Sequence, residues 1–330
     1  MHLRIAAVTV VMSLLHPHVV MANDSARVHP LPIGNPVATG RFELIVEPSG
    51  VTALDDNTLI VVEDEAHRAL RRLSVTSRSL RDFSFEEADQ RSAKGFIQRQ
   101  LLGPLDDLEG IARVSSERFF AIASHEDANL GTRPGREKLV LFDRQGDDIT
   151  RVLMRRDLFD QMVAQYPVLN EALGKKKNTL NIEALAYDRR RHRLLIGFRS
   201  PMLKKRSIII VLNNPVSYLQ GEDPEFASTP TLLDLDRHGI RAMSYDDTSD
   251  KLLIVTAGES KGHRGSNLWT LPAEELHSPT RHVSDDKKLF EDVEGLTTIA
   301  GGVIFLKDRN GKKKKADDAW FVLERSQIGL

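Results

Sequence analysis

The sequence predicts an all-β fold, a single β-propeller of five blades, and three observations predict it. A short phrase recurs: Leu108-Glu109-Gly110-Ile111-Ala112, Ile182-Glu183-Ala184-Leu185-Ala186, Ile240-Arg241-Ala242-Met243-Ser244 and Val293-Glu294-Gly295-Leu296-Thr297, with a further copy at Ser49-Gly50-Val51-Thr52-Ala53. Each phrase is followed by a polar turn and an apolar run: Leu59 to Val62, Phe119 to Ala123, Leu194 to Phe198, Leu252 to Val255 and Val303 to Leu306. That is a strand, a turn and a second strand. The anchors at 49, 109, 183, 241 and 294 lie 60, 74, 58 and 53 residues apart, room for a blade of about 40 to 50 residues and its loops. Six blades are the alternative if one loop hides a degenerate unit.

Taken in order, the chain begins with a basic start at Met1 to Arg4, an apolar run from Ile5 to Leu15 and the small-residue pattern Val20-Met21-Ala22 before Asn23. This reads as a secretory signal at 1–22 cleaved after Ala22, with one propeller domain over 23–330. The apolar run is shorter than the ~20 residues a membrane span needs, so an uncleaved anchor, suggested by His16-Pro17-His18, is the lesser reading. A periplasmic or secreted location follows. Gly40 to Val46 is expected as the outer strand of the last blade, beside Ala319 to Leu323, so that the two termini close the ring. Between the second and third units, Leu158, Phe159, Met162, Val163, Tyr166, Leu169 and Leu173 recur at helical spacing around Pro167. This predicts two short helices in an insertion over about 156–174, either packed on the propeller or acting as a lid.

Composition excludes several classes. The chain has no cysteine, which rules out disulfides, thiol nucleophiles and cysteine-bound zinc. A net charge of −1 argues against general nucleic-acid binding. With only 6% aromatic residues, stacking platforms for sugars or single-stranded nucleic acid are disfavoured. A monomer without a membrane span is expected. No Gly-x-Ser-x-Gly elbow, His-Glu-x-x-His, Walker loop or dinucleotide fingerprint is present.

In a four-stranded meander the start of strand one, the end of strand two and the link to the next blade share one end. Ser49, Glu109, Glu183, Arg241 and Glu294 therefore ring one mouth of the channel. Asp106, Asp107, Asn181 and Asp292 stand in the same entry loops. Glu63-Asp64-Glu65, His125-Glu126-Asp127, Arg199, Glu259 and Lys307-Asp308 end second strands on that face. The basic runs Lys175 to Lys177, Lys204 to Arg206, Lys261 with His263-Arg264, Arg133 with Arg136, and Lys312 to Lys315 fall there too. Such a face suits an anionic small molecule or an acidic protein or envelope partner, with Arg241, Arg199, Lys307 and Asn181 as contacts.

Three arrangements of the ring compete. Arg241 can pair with glutamates across the channel and fix the blades. Glu109, Glu183 and Glu294 can hold calcium or another hard divalent cation through oxygen ligands. One glutamate can act as a general acid or base, which requires a carboxyl raised toward neutral pH by burial or by a like charge. His125 is either a proton donor or phosphate contact, or a turn residue.

The phrases Ser49 to Asp56, Asp107 to Ala112 and Asn181 to Ala186 through Leu194 to Pro201 resemble a bacterial family called domain of unknown function thirty-six sixteen. Gly239-Ile240-Arg241 and Glu294-Gly295-Leu296 resemble its later repeats. The likeness covers nearly all of 23–330. It departs at Ala184 and Ala242, where glycine and a more polar residue are expected. The Glu-Gly-Leu/Ile-Ala phrase is also similar to the wider group of esterase-like phytases. That likeness implies phosphoester hydrolysis, with a cation on Glu109, Glu183 and Glu294 activating water and Arg199, Arg241 and the lysine loops neutralising phosphate. The rival reading is a non-enzymatic binding or scaffolding propeller.

Overall fold

Each copy of the phrase is the first strand of an antiparallel sheet, and five sheets stand around one channel. The computed structural model describes residues 30–45, 47–64, 70–76, 79–87, 107–126, 136–146, 148–173, 180–257, 265–308 and 319–330. The expected leader at 1–22 lies outside the described residues, as do Glu65, Asp106, Asp127, Arg133, Lys175 to Lys177, Glu259, Lys261, His263, Arg264 and Lys312 to Lys315.

Strands β1 (Leu31–Ile33) and β2 (Ala38–Gly40) precede the first blade, formed by β3 (Pro48–Asp55), β4 (Thr58–Glu63), β5 (Leu70–Val75) and β6 (Phe85–Glu87). The second is β7 (Leu108–Arg113), β8 (Arg118–Ala123), β9 (Leu139–Gln145) and β10 (Asp148–Arg155). Helices α1 (Leu158–Gln165) and α2 (Val168–Leu173) lead to the third: β11 (Asn181–Asp188), β12 (Arg193–Ser200), β13 (Ser207–Leu212) and, after α3 (Pro215–Leu219), β14 (Thr231–Leu233). The fourth is β15 (Gly239–Asp246), β16 (Lys251–Ala257), β17 (Asn267–Pro272) and β18 (Thr280–Ser284), with β1 added in parallel beside β18. The fifth is β19 (Val293–Ile299), β20 (Gly302–Lys307) and β21 (Trp320–Glu324), completed by β2. The protein is a five-bladed β-propeller.

The ring closes through the termini, but the closing strand is Ala38–Gly40 and not Gly40 to Val46. Two side chains explain the difference. Trp320 lies so close to Gly40 that any Cβ there would strike its ring, and Trp320 Nε1 donates to the Arg41 carbonyl over 3.3 Å. The amides of Glu43, Leu44 and Ile45 then donate to the Glu87 carboxylate over 2.6, 2.7 and 2.9 Å, so no ladder can use them.

Apolar residues of facing blades interlock into five cores, one at each interface. The insertion joins one of them. Leu158, Phe159, Met162, Tyr166 and Leu169 are buried between the second and third blades, so the stripe of α1 and α2 serves packing. Acids stop the first strands at their far ends. Asp188 accepts from the amides of Arg190 and Arg191, and Asp246 from the amide of Ser249, tightening each turn.

Neighbouring first strands touch all the way round the axis. Small residues permit this, since a Cβ on Gly110 would lie 2.8 Å from Leu185 Cβ and one on Gly50 3.3 Å from Gly110 Cα. Where the repeat carries Ala184 instead, Gly197 stands opposite it and returns the space. Gly110→Ala is expected to lower the unfolding free energy by about 1–3 kcal/mol through overpacking. Urea denaturation checks this, and an unchanged midpoint would mean the inner strands have slack.

Candidate functional site

Every first strand carries a β-bulge at its entry, and in every blade the bulged residue is the ring residue. Pairing passes from Leu108–Ala123 to Gly110–Ile122 and skips Glu109. The same slip leaves out Glu183, Arg241, Glu294 and Ser49. A bulge re-aims the extra side chain and bends the strand. Glu109, Glu183 and Glu294 thereby line the narrow upper channel together.

Charges there are shared. Asn181 Nδ2 donates to Glu183 Oε1 over 3.0 Å, and Arg199 Nη1 donates to the same oxygen. Arg241 Nε donates to Glu183 Oε2 over 3.1 Å, and its Nη2 pairs with Glu294 Oε1. Glu183 is 4% exposed, so its charge depends on these donors. Burial weakens the Arg199 cation, yet the charge of Glu183 and the hydrogen bond to it hold its pKa above the ordinary value. This is the cross-channel pairing expected of Arg241. A divalent cation on the three glutamates would have to displace both arginines, and among the described residues no three His, Asp or Glu side chains are placed to share an ion.

Glu109 differs. Among the described residues its carboxyl makes no hydrogen bond or ion pair. Burial first, then the charges of Glu183, Asp107 and Asp64, push its pKa well above the usual range against the pull of Arg241. A second acid pair stands beside it. Asp64 is raised to about 7 by burial, by its hydrogen bond to Asp107 and by the charges of Asp107 and Glu47. Asp107 also accepts from Ser124 Oγ and pairs with Arg136 at 2.8 Å, while Arg136 reaches Glu126 at 2.6 Å.

His125 lies outside the ring. It is fully buried in a turn with φ 53°, and its Nδ1 faces the Ala123 carbonyl at 2.8 Å. Burial pushes its pKa down to about 4, which keeps the imidazole neutral. This is the turn histidine of the two readings. Lys307 is likewise buried, its ammonium 5.3 Å from the centre of the Phe321 ring, so it is no open contact for a ligand.

The channel is narrowest at the glutamates, with a cavity of about 10 Å³, and widens toward the far ends of the first strands to about 40 Å³ and then about 340 Å³. Arg113 and Arg189 line the wider part. Neither arginine stood out in the sequence. The available signal is that each stands where an inner strand meets its polar turn.

A family model described as "Protein of unknown function (DUF3616)" matches residues 124–294. No curated protein matches the chain. Among solved structures, the chain is similar to YCF48 bound to D1 peptide, with 11% identity and a TM-score of 0.36 over 86% of this chain and 65% of that one. It is similar to the Cps50 (Swd1) beta-propeller domain of Myceliophteria thermophila, with 9% identity and a TM-score of 0.36 over 82% and 69%. A third is the extracellular domain of the hybrid two component system BT4673 from B. thetaiotaomicron, with 10% identity and a TM-score of 0.38 over 84% and 27%. The chain thus spans just under two thirds of the first of these and about a quarter of the last.

Removing Arg241 leaves Glu183 and Glu294 short of a partner. Arg241→Leu is expected to cost about 3 kcal/mol of stability, and Glu183→Leu in the same chain to restore part of it. A double-mutant cycle by chemical denaturation measures this. Glu109 acts in the opposite sense. The unfolded chain ionises it above 4.5 while the fold favours its protonated form, so stability is lost as pH rises from 4.5 through the raised pKa. Glu109→Gln should therefore raise the melting temperature at pH 7, with the gain vanishing below pH 4.5.

Proposed function

The chain belongs to the DUF3616 family, and from that premise we propose that it is an exported propeller whose channel mouth binds an anionic group and hydrolyses a phosphate ester there. The observation that carries this reading is Glu109, the ring carboxyl that no arginine neutralises among the described residues. Export rests on the leader-like composition of 1–22.

A protonated carboxyl beside Arg199, whose side chain is 31% exposed, offers an O–H and N–H donors on one edge of the mouth. That combination accepts a phosphate monoanion, where an ionised ring would repel it. The ring passes about one water, so the ligand sits on the mouth and does not thread it. In the hydrolytic step a water oxygen forms the new bond to phosphorus as the ester P–O bond breaks. Glu109 gives its proton to the leaving oxygen, and a proton of the attacking water restores it. Arg199 offsets charge on the equatorial oxygens. The arginines already hold both Glu183 oxygens, and the step as written draws its proton from Glu109.

The test follows release of p-nitrophenol from p-nitrophenyl phosphate by the purified protein. Turnover should fall as pH rises through the Glu109 pKa, and Glu109→Gln should lose about 100-fold or more. Arg199→Gln should raise KM. If phosphate binds at the mouth without turnover, the function narrows to binding; if neither occurs, the ring is structural and the scaffolding reading takes its place.

A further inference from the structure

The far end of the channel carries a second constellation, on the opposite face from Glu109. Thr52, Ser244 and Thr297 line the cavity of about 40 Å³ together with Arg113 and Arg189, and Thr297 Oγ1 accepts from the Ala53 amide over 3.3 Å. It opens into the vestibule of about 340 Å³, whose wall also holds Asp55, Asp56, Asp247 and Arg325.

The guanidiniums are used unequally. Arg325 is fully engaged, making a two-pronged pair with Asp246 at 2.8 and 2.6 Å. Arg189 donates from Nη1 to the Arg113 carbonyl over 3.3 Å and from Nη2 to Asp247. Arg113 donates from Nη1 to the Leu54 carbonyl over 2.7 Å, and among the described residues no carboxylate hydrogen-bonds to it. Among the described residues that carbonyl takes one of its five N–H groups. The fold brings two cations together in a partly desolvated wall. Burial and the charge of Arg113 pull the Arg189 pKa down to about 10, and burial lowers Arg113 against the opposing charges of Asp55 and Asp56. Such a pair gains most from an anion placed between its members.

Size and access narrow the anion. The inner cavity of about 40 Å³ has the room of roughly three waters at ~10–15 Å³ each, enough for one phosphate group. Above it the channel narrows to about 10 Å³, so a ligand enters from the vestibule. We propose that the lower channel binds the phosphate head of a small phosphomonoester, held by Arg113 and Arg189 with the Thr52, Ser244 and Thr297 hydroxyls. Its tail lies in the vestibule against Asp55 and Asp56, which favour an amino group there.

Calorimetric titration of Arg199→Gln protein with phosphoethanolamine tests this, since that background weakens the upper mouth. Binding should persist there, exceed that of inorganic phosphate and of acetate, and weaken at least tenfold when Arg113→Gln is added. Equal affinity for acetate, or affinity indifferent to Arg113→Gln, would overturn the site, as would no heat at all. Should the Arg113 variant fail to fold, a crystal of the unaltered protein soaked in tungstate decides. Density between Arg113 and Arg189 supports the site, and density only at Arg199, or none, rejects it.

Discussion

Everything at the axis depends on one constraint, the extra residue that each first strand inserts at its entry. In a regular ladder Glu109, Glu183, Arg241 and Glu294 would alternate in and out of the blade. The bulge frees each from pairing and aims it along the channel. The residue after the bulge then becomes the point of closest approach between neighbouring strands, which is why glycine or alanine follows in every copy. Chemistry and packing share a two-residue phrase: one member carries the functional group, the next allows the ring to be tight.

Tightness makes the charges meaningful. A glutamate 4% exposed would be costly alone, and Arg199 and Arg241 together meet both of its oxygens. With Glu294 tied to the same Arg241, the third glutamate has no ion-pair partner among the described residues, and burial favours its protonated form. The two ends of the channel thus resolve opposite shortages. The entry end has one carboxyl more than its arginines serve, and the exit end has one arginine, Arg113, that no carboxylate hydrogen-bonds among the described residues.

Much of this was legible in the sequence because the repeat is periodic. Spacing located the five ring positions, and alternation behind them located the second strands. The pairing of Arg241 with glutamates across the channel was among the readings weighed. Less local facts were not legible. That Glu87 would take the amides of residues 43–45 depends on a side chain more than 40 residues away, and so the closing strand was placed a few residues late. His125 looked functional because it ends a strand beside acids, yet burial makes it a neutral turn residue. Arg113 and Arg189 escaped notice because nothing in a linear reading says that two turns of different blades face one another.

The seam between Ala38–Gly40 and β21 also fixes a temporal order. A chain emerging from its N-terminus holds this short strand long before its partner exists, since Trp320 and Arg41 are 279 residues apart. Interfaces between consecutive blades can form as each is completed, but the circle can be shut only by the last strand to be made. Until then the first and fifth blades each present an open edge, and the apolar core between them, which includes Trp320, Ile304 and Val61, is exposed to water. The protein is therefore most vulnerable to misassembly when it is nearly finished, and it becomes secure in a single closing event.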